Sequence, residues 1–128
     1  MDEINFNGEV YVKKGTEKQE VVNWTGKESL ASRMIGKKVI VRSKNEGVNS
    51  GIVVLADETG VELKDCRRLW YHKPIKGSWY ESIAKFGIHQ DSKVSEIIDK
   101  KIIIEDYSMT ECTDEAFASI MELKPHED

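Results

Sequence analysis

The spacing of apolar positions changes several times along the chain, and each change marks a predicted element. Glu9-Val-Tyr-Val-Lys13 alternates as a short strand, the polar run Thr16 to Glu20 turns the chain, and Val21-Val-Asn-Trp24 pairs back as a hairpin. Thr25-Gly-Lys-Glu28 has the spacing of a capping box, which predicts a short helix with Leu30, Ala31, Met34 and Ile35 on one side and Gly36 as its left-handed stop. Lys37 to Ser43, Gly51 to Ala56 and Val61 to Tyr71 are then three Val- and Ile-rich runs separated by Asn45-Glu-Gly47 and Asp57-Glu-Thr-Gly60, the pattern of an antiparallel meander. Gly47 and Gly51 suit a hairpin connection with positive φ and a close backbone approach, a better account of Gly47-Val-Asn-Ser-Gly51 than a phosphate loop, because no Lys-Ser/Thr follows. At Asp65-Cys66 the alternation breaks, which predicts a bulge or sharp bend and lets one long strand serve two parts of a curled sheet.

Beyond the meander, Ser78-Trp-Tyr-Glu81 repeats the capping-box spacing. Trp79, Ile83 and Phe86 then predict a two-turn helix laid on an apolar surface and stopped by Gly87. Val94 to Ile98 and Lys101 to Tyr107 read as a hairpin or kinked strand broken at Asp99-Lys100. Thr113 caps a final helix over Asp114 to Met121, whose early acids suit the positive end of the helix dipole. The expected class is α+β, mainly β: a strongly bent antiparallel sheet or small β-barrel with short capping helices. We expect one domain over 1–128, with an extension over 1–36, a core over 37–121 and a frayed tail over 122–128.

Composition narrows the class without naming a task. With 39% hydrophobic and 33% charged residues in 128, the chain carries enough apolar surface for one modest core, and no apolar run approaches the roughly 20 residues of a membrane span. The acidic start, Met1-Asp-Glu-Ile, lacks the features of a secretory signal, so the expected location is the cytoplasm. The net charge of −4 weighs against binding nucleic acid through the whole-molecule field. Cys66 and Cys112 form no C-x-x-C pair and read as buried thiols.

The candidate chemistry is concentrated in Arg67-Arg-Leu-Trp-Tyr71, followed by His72, Lys73 and Trp79-Tyr80, with Arg42 brought near by the meander. Guanidinium forks hold phosphate bidentately and aromatic rings stack on bases, so Arg42, Arg67, Arg68, Trp70, Tyr71 and Trp79 are the candidate ligand-binding residues. Strand alternation puts Arg68, Trp70 and His72 on one face and Arg67, Leu69 and Tyr71 on the other, so only part of the set can meet one ligand. The competing reading makes the tryptophans core or interface residues and pairs the arginines with acids. His72, His89 and His126 lie too far apart to suggest a metal site, and no nucleophile elbow or triad spacing is present; the expectation is a protein without catalytic residues, metal or cofactor.

Val39-Ile-Val-Arg42, Gly47-Val, Gly51, Leu63, Arg67-Arg-Leu-Trp-Tyr71, Ala84-Lys-Phe-Gly87, Ile104-Glu and Thr113-Asp-Glu-Ala116 together resemble a family of small uncharacterised proteins encoded by phages and prophages, over roughly Lys37 to Met121. The Arg67 to Tyr71 run is the most specific element of that resemblance, which brings no activity with it. The three meander strands are also similar in outline to the start of an Sm-like barrel, without its Asp-x-hydrophobic-x-Asn signature. The resemblance implies a phage accessory protein acting in the infected bacterium. Together with the Arg-Trp-Tyr cluster it points to sequestration of a nucleotide-like signal as a counter-defence. A module that inhibits a host protein, a single-stranded nucleic-acid binder and a virion component are the alternatives. Homo-oligomerisation is expected from the load of Trp and Arg and from sheet edges that need cover.

Overall fold

Val39-Ile-Val41 is a run of three β-branched residues, and all three are buried, so the strand that carries them has apolar contacts on both faces. The computed structural model describes residues 29–127. The expected hairpin over 9–24 and the Thr25 to Glu28 capping box lie outside the described residues. Within them, β1 (Lys38–Ser43), β2 (Gly47–Asp57) and β3 (Gly60–Tyr71) form the meander, with Val39 opposite Gly51 and Asn49 opposite Arg68. The far edge of β3 is shared by β4 (Lys93–Val94) and β5 (Ile98–Ile103), while β6 (Tyr107–Glu111) pairs with the far edge of β1. The six antiparallel strands make one strongly bent sheet. Its ladder does not close into a barrel, because β5 and β6 follow each other in the chain without pairing.

Two register breaks between β2 and β3 produce the bend. Ile52 faces Lys64 and Ser50 faces Arg67, so β3 spends an extra residue at Asp65-Cys66; Val53 faces Leu63 and Leu55 faces Glu62, so β2 spends one at Val54. Asp65 takes φ 49°, the left-handed conformation that a short polar residue tolerates best after glycine. Gly51 lies opposite this bulge, where an added Cβ would stand 3.0 Å from Lys64 O and 3.3 Å from Cys66 Cα. A side chain there requires the facing strand to give by a few tenths of an ångström.

Each face of the bent sheet holds its own core. Inside the curl, Val39, Val41, Val53, Val61, Leu63, Cys66 and Ile103 pack together, with Ala31 and Met34 of a 3-10 turn (Leu30–Met34) and Met109 laid against them. On the other face Ile40, Val48, Leu69 and Val94 lie under α1 (Tyr80–Phe86) and α2 (Asp114–Glu122), which contribute Ile83, Ala84, Phe117 and Ile120. Side chains hold the gap between β5 and β6. Glu105 accepts from the Asn45 and Glu46 amides at 2.8 and 3.2 Å, and Tyr107 Oη donates to Asp57 O at 2.6 Å.

Several expectations differ from the structure at element ends. The first helix is a 3-10 turn capped by Ser29, whose hydroxyl accepts from Ser32 N. Ser78 does not cap α1; Trp79 is its N-cap residue and gives no side-chain bond. Asp99-Lys100 is not a turn. It lies inside β5, an edge strand whose polar side chains reach solvent, and the chain turns at Glu105-Asp106 where the Glu105 carboxylate has amides to accept from. Thr113 does cap α2, accepting from Ala116 N at 3.0 Å. The residues after it are not frayed: Leu123 O accepts from Arg67, and His126 N donates to Val94 O at 2.9 Å.

Candidate functional site

The bulge decides which arginine faces which way. Val61 and Leu63 point into the curl, and unbroken alternation would send Arg67 and Leu69 there too. The extra residue shifts the phase, so Cys66 closes the curl while Arg67 and Leu69 turn toward the helices. Arg67 is therefore buried at 2% exposure beneath α2. Its Nε donates to Ser95 O at 2.8 Å, and its Nη1 donates to Ile120 O at 2.9 Å and Leu123 O at 2.8 Å. Those two carbonyls belong to the C-terminal end of α2, the negative end of its dipole, and α2 has no basic residue of its own in its last turn. Burial pushes the Arg67 guanidinium below its ordinary value, and the carbonyls are what keep the charge tolerable. Arg67 thus joins β3, the chain before β5 and the end of α2, with its guanidinium turned away from solvent.

The other five candidates are exposed, and of them Arg68 and Trp70 stand two residues apart on one strand face. Arg42, opposite Val48 on the helix-covered face, lies 5.8 Å from the Tyr80 ring centroid. Arg68 is on the opposite face, where its guanidinium covers Gly47. Trp70 shares that face, with Lys93 Nζ 5.9 Å from its ring and His126 edge-on at 4.9 Å. Tyr71 ends β3, and Trp79 opens α1 at 72% exposure. Three surface grooves formed by described residues are lined by none of the six.

A different grouping emerges around α1. Its buried stripe is Ile83, Ala84 and Gly87 with Tyr80 half-buried, spaced as one helix face, so Trp79 and Phe86 fall together on the flank of that stripe instead of beneath it. The expectation that Trp79, Ile83 and Phe86 share the buried side is corrected by that rotation. Ile75 is tied to the end of α1: its amide donates to Gly87 O at 3.0 Å, and its side chain, 59% exposed, lines a groove with Ile88, Ser119 and Glu122. Lys76 and Lys85 each place Nζ 5.2 Å from the Phe86 ring centroid. The flank is thus an apolar and aromatic surface framed by cations. From Arg67 to Phe86 the chain carries Arg67, Arg68, Lys73, Lys76 and Lys85 against Glu81 alone, a basic stretch in an acidic protein. Sequence reasoning assigned Phe86 to the core and passed over Ile75; the Lys85-Phe86 dipeptide beside Lys76 is the signal that distinguishes them.

Elsewhere the ionisable groups are structural. Cys66 and Cys112 are buried free thiols, raised by burial to about 11 and about 12, so both stay protonated near neutrality. Glu105 is lowered to about 2, first by the Ser43 hydroxyl and then by the Asn45 amide. The Ser43 hydroxyl is buried and meets Glu105 outside ordinary hydrogen-bond geometry, so we assign most of the anchoring to the amides of Asn45 and Glu46. Asp57 is lowered as well, by Thr59 foremost, in a turn where Oδ1 accepts from Thr59 Oγ1 at 2.6 Å. Among the described residues no three His, Cys, Asp or Glu side chains gather as metal ligands would, and no helix is long and apolar enough to cross a membrane.

Residues 36–120 match a family model described as a domain of unknown function, DUF6948. No curated protein and no solved structure matches the chain.

Proposed function

The chain belongs to the DUF6948 family, and from that premise we propose that it is a non-enzymatic binding protein whose working surface is the α1 flank and whose partner is an acidic region of another protein. The observation that carries this reading is the exposure of Trp79 and Phe86 on one flank of α1, with Lys76 and Lys85 both over the Phe86 ring. Aromatic anchors ringed by cations are the composition of interface hot spots, and cations resting on an aromatic ring are held ready for carboxylates. The setting we propose is the bacterial cytoplasm during phage infection, with inhibition of a host protein as the task.

Sequestration of a nucleotide-like signal is the second reading. It is favoured by Arg68 and Trp70, which are two residues apart on one strand face with Lys93 beside the ring. Commitment of Arg67 to α2 and the separation of Arg42 from Arg68 leave that site one exposed guanidinium, which is why we rank it second. Affinity capture from bacterial extract with the wild-type chain and with Lys76→Glu/Lys85→Glu separates the two. The first reading expects one acidic protein retained by the wild type and reduced at least tenfold by the double charge reversal. A small molecule retained by the native chain, lost on Arg68→Ala and indifferent to the reversal, would replace it with the second.

A further inference from the structure

The clearest unfinished feature away from α1 is the outer edge of β5. One side of β5 pairs with β3 in an unbroken register from Cys66 opposite Ile98 to Val61 opposite Ile103. Among the described residues nothing bonds to the backbone of the other side. Free edges of this kind are normally blunted by proline, a bulge, a cover or lysines held out into solvent. β5 has no proline or bulge; of its two lysines Lys100 reaches solvent beside Glu62 at 3.8 Å, while Lys101 is held within its own chain by Glu46 at 3.1 Å and Asn49 at 3.2 Å. Ile98, Ile102 and Ile104 are exposed on this strand and its exit, and Ile102 and Ile104 line a groove of about 270 Å³ with Leu55.

We propose that β5 is a dimerisation edge that pairs antiparallel with β5 of a second copy about a two-fold axis through Lys100. The strand is self-complementary at that register. Pairs that share a face in an antiparallel sheet require residue numbers with an even sum, which leaves only a few centres to compare. Centred on Lys100, Ile98 meets Ile102 of the second copy twice, and Asp99, which has no ion-pair partner among the described residues, lies opposite Lys101, whose ammonium already holds Glu46 and Asn49 of its own chain. The two Lys100 side chains each bring their own Glu62, so the charges at the axis alternate. A centre on Asp99 opposes two aspartates and sets Ile98 against Lys100, a centre on Lys101 sets Asp99 against Ile103 and Lys100 against Ile102, and a centre on Ile102 sets Lys101 against Ile103. Of the pairings that stay within Ile98–Ile103, only the Lys100 register opposes apolar with apolar and acid with base. This surface is separate from the α1 flank and does not depend on the partner proposed there.

Sedimentation equilibrium and a cysteine placed on the axis test the proposal. The wild-type chain is expected at twice its 14.6 kDa mass, and Ile102→Lys is expected at the single-chain mass with its circular dichroism unchanged. Directly opposed residues in such a pair have Cα atoms about 4.5–5.5 Å apart, within disulfide reach. Lys100→Cys should therefore form a covalent dimer under mild oxidation, while Asp99→Cys, two registers from its own copy, should not. Cys66 and Cys112 are buried and do not compete. A single-chain mass for the wild type at all concentrations overturns the proposal. So does a Lys100→Cys chain that stays monomeric, or an assembly larger than two built head to tail through the other free edge, β6. Should Ile102→Lys fail to fold, the two cysteine variants still decide.

Discussion

The Arg67 join and the α1 flank come from one basic and aromatic stretch of sequence, and they have opposite fates. At the join a guanidinium is buried, its Nε and Nη1 donate to backbone carbonyls, and its charge serves the end of α2. At the flank two ammonium groups lie in solvent over an exposed ring. Cations thus build the fold in one place and leave a surface in the other, and at the join it is a single extra residue at Asp65, reversing the phase of β3, that buries Arg67 and leaves Arg68 exposed. Residue type alone does not decide burial; the phase of the element that carries the residue does.

The largest effect should come from breaking the join. Arg67→Met keeps much of the volume but leaves the Ser95, Ile120 and Leu123 carbonyls without their donor, and loss of charged hydrogen bonds of this kind costs about 3 kcal/mol of folding stability. Urea unfolding followed by tryptophan fluorescence would measure it. Arg68→Met, one residue away and exposed, should change stability by less than about 0.5 kcal/mol. Equal losses for the two variants would remove the contrast and return Arg67 to the list of surface cations.

A smaller effect is expected from the bulge that sets the phase. Gly51→Ala places a methyl 3.0 Å from Lys64 O and 3.2 Å from Leu63 Cβ, where neighbouring strands must give way. Overpacking of this size costs about 2 kcal/mol. If the bulge fixes which arginine is buried, the same variant should raise hydrogen exchange at Ser95 and at the end of α2, because the join loosens with it. Unchanged exchange there would show that the join holds Arg67 in place without the bulge.

Much of this architecture is legible in the amino-acid sequence. The meander, the bulge at Asp65-Cys66, the positive φ at Gly47 and the Thr113 cap each follow from local chemistry that permits few alternatives. The sheet bend is legible too, since an alternation that breaks inside a long strand has to redirect its side chains. What sequence does not supply is the partner of each side chain. The carbonyls that take Arg67 are more than fifty residues away at the end of α2, and nothing in Arg67-Arg68 distinguishes the buried guanidinium from the exposed one. The Trp79, Ile83 and Phe86 spacing fits a helix face, but Tyr80, Ile83, Ala84 and Gly87 fit a neighbouring face equally well. Small residues at 84 and 87 let the helix lie closer to the sheet on that side, which turns the two large rings outward.

That rotation makes the last prediction the smallest in stability and the most telling for function. Trp79→Ser removes a ring that is 72% exposed and caps nothing with its side chain, so folding stability should move by no more than about 0.5 kcal/mol. Truncation of an aromatic anchor in a binding surface typically costs about 2 kcal/mol or more of association energy, about a thirtyfold loss of affinity. A chain that folds as before and loses its acidic partner would set the flank apart from the join on both counts. A Trp79→Ser chain that unfolds early would instead mean that the ring is held against the protein in solution, and the α1 flank would then be a second piece of structure like the Arg67 join.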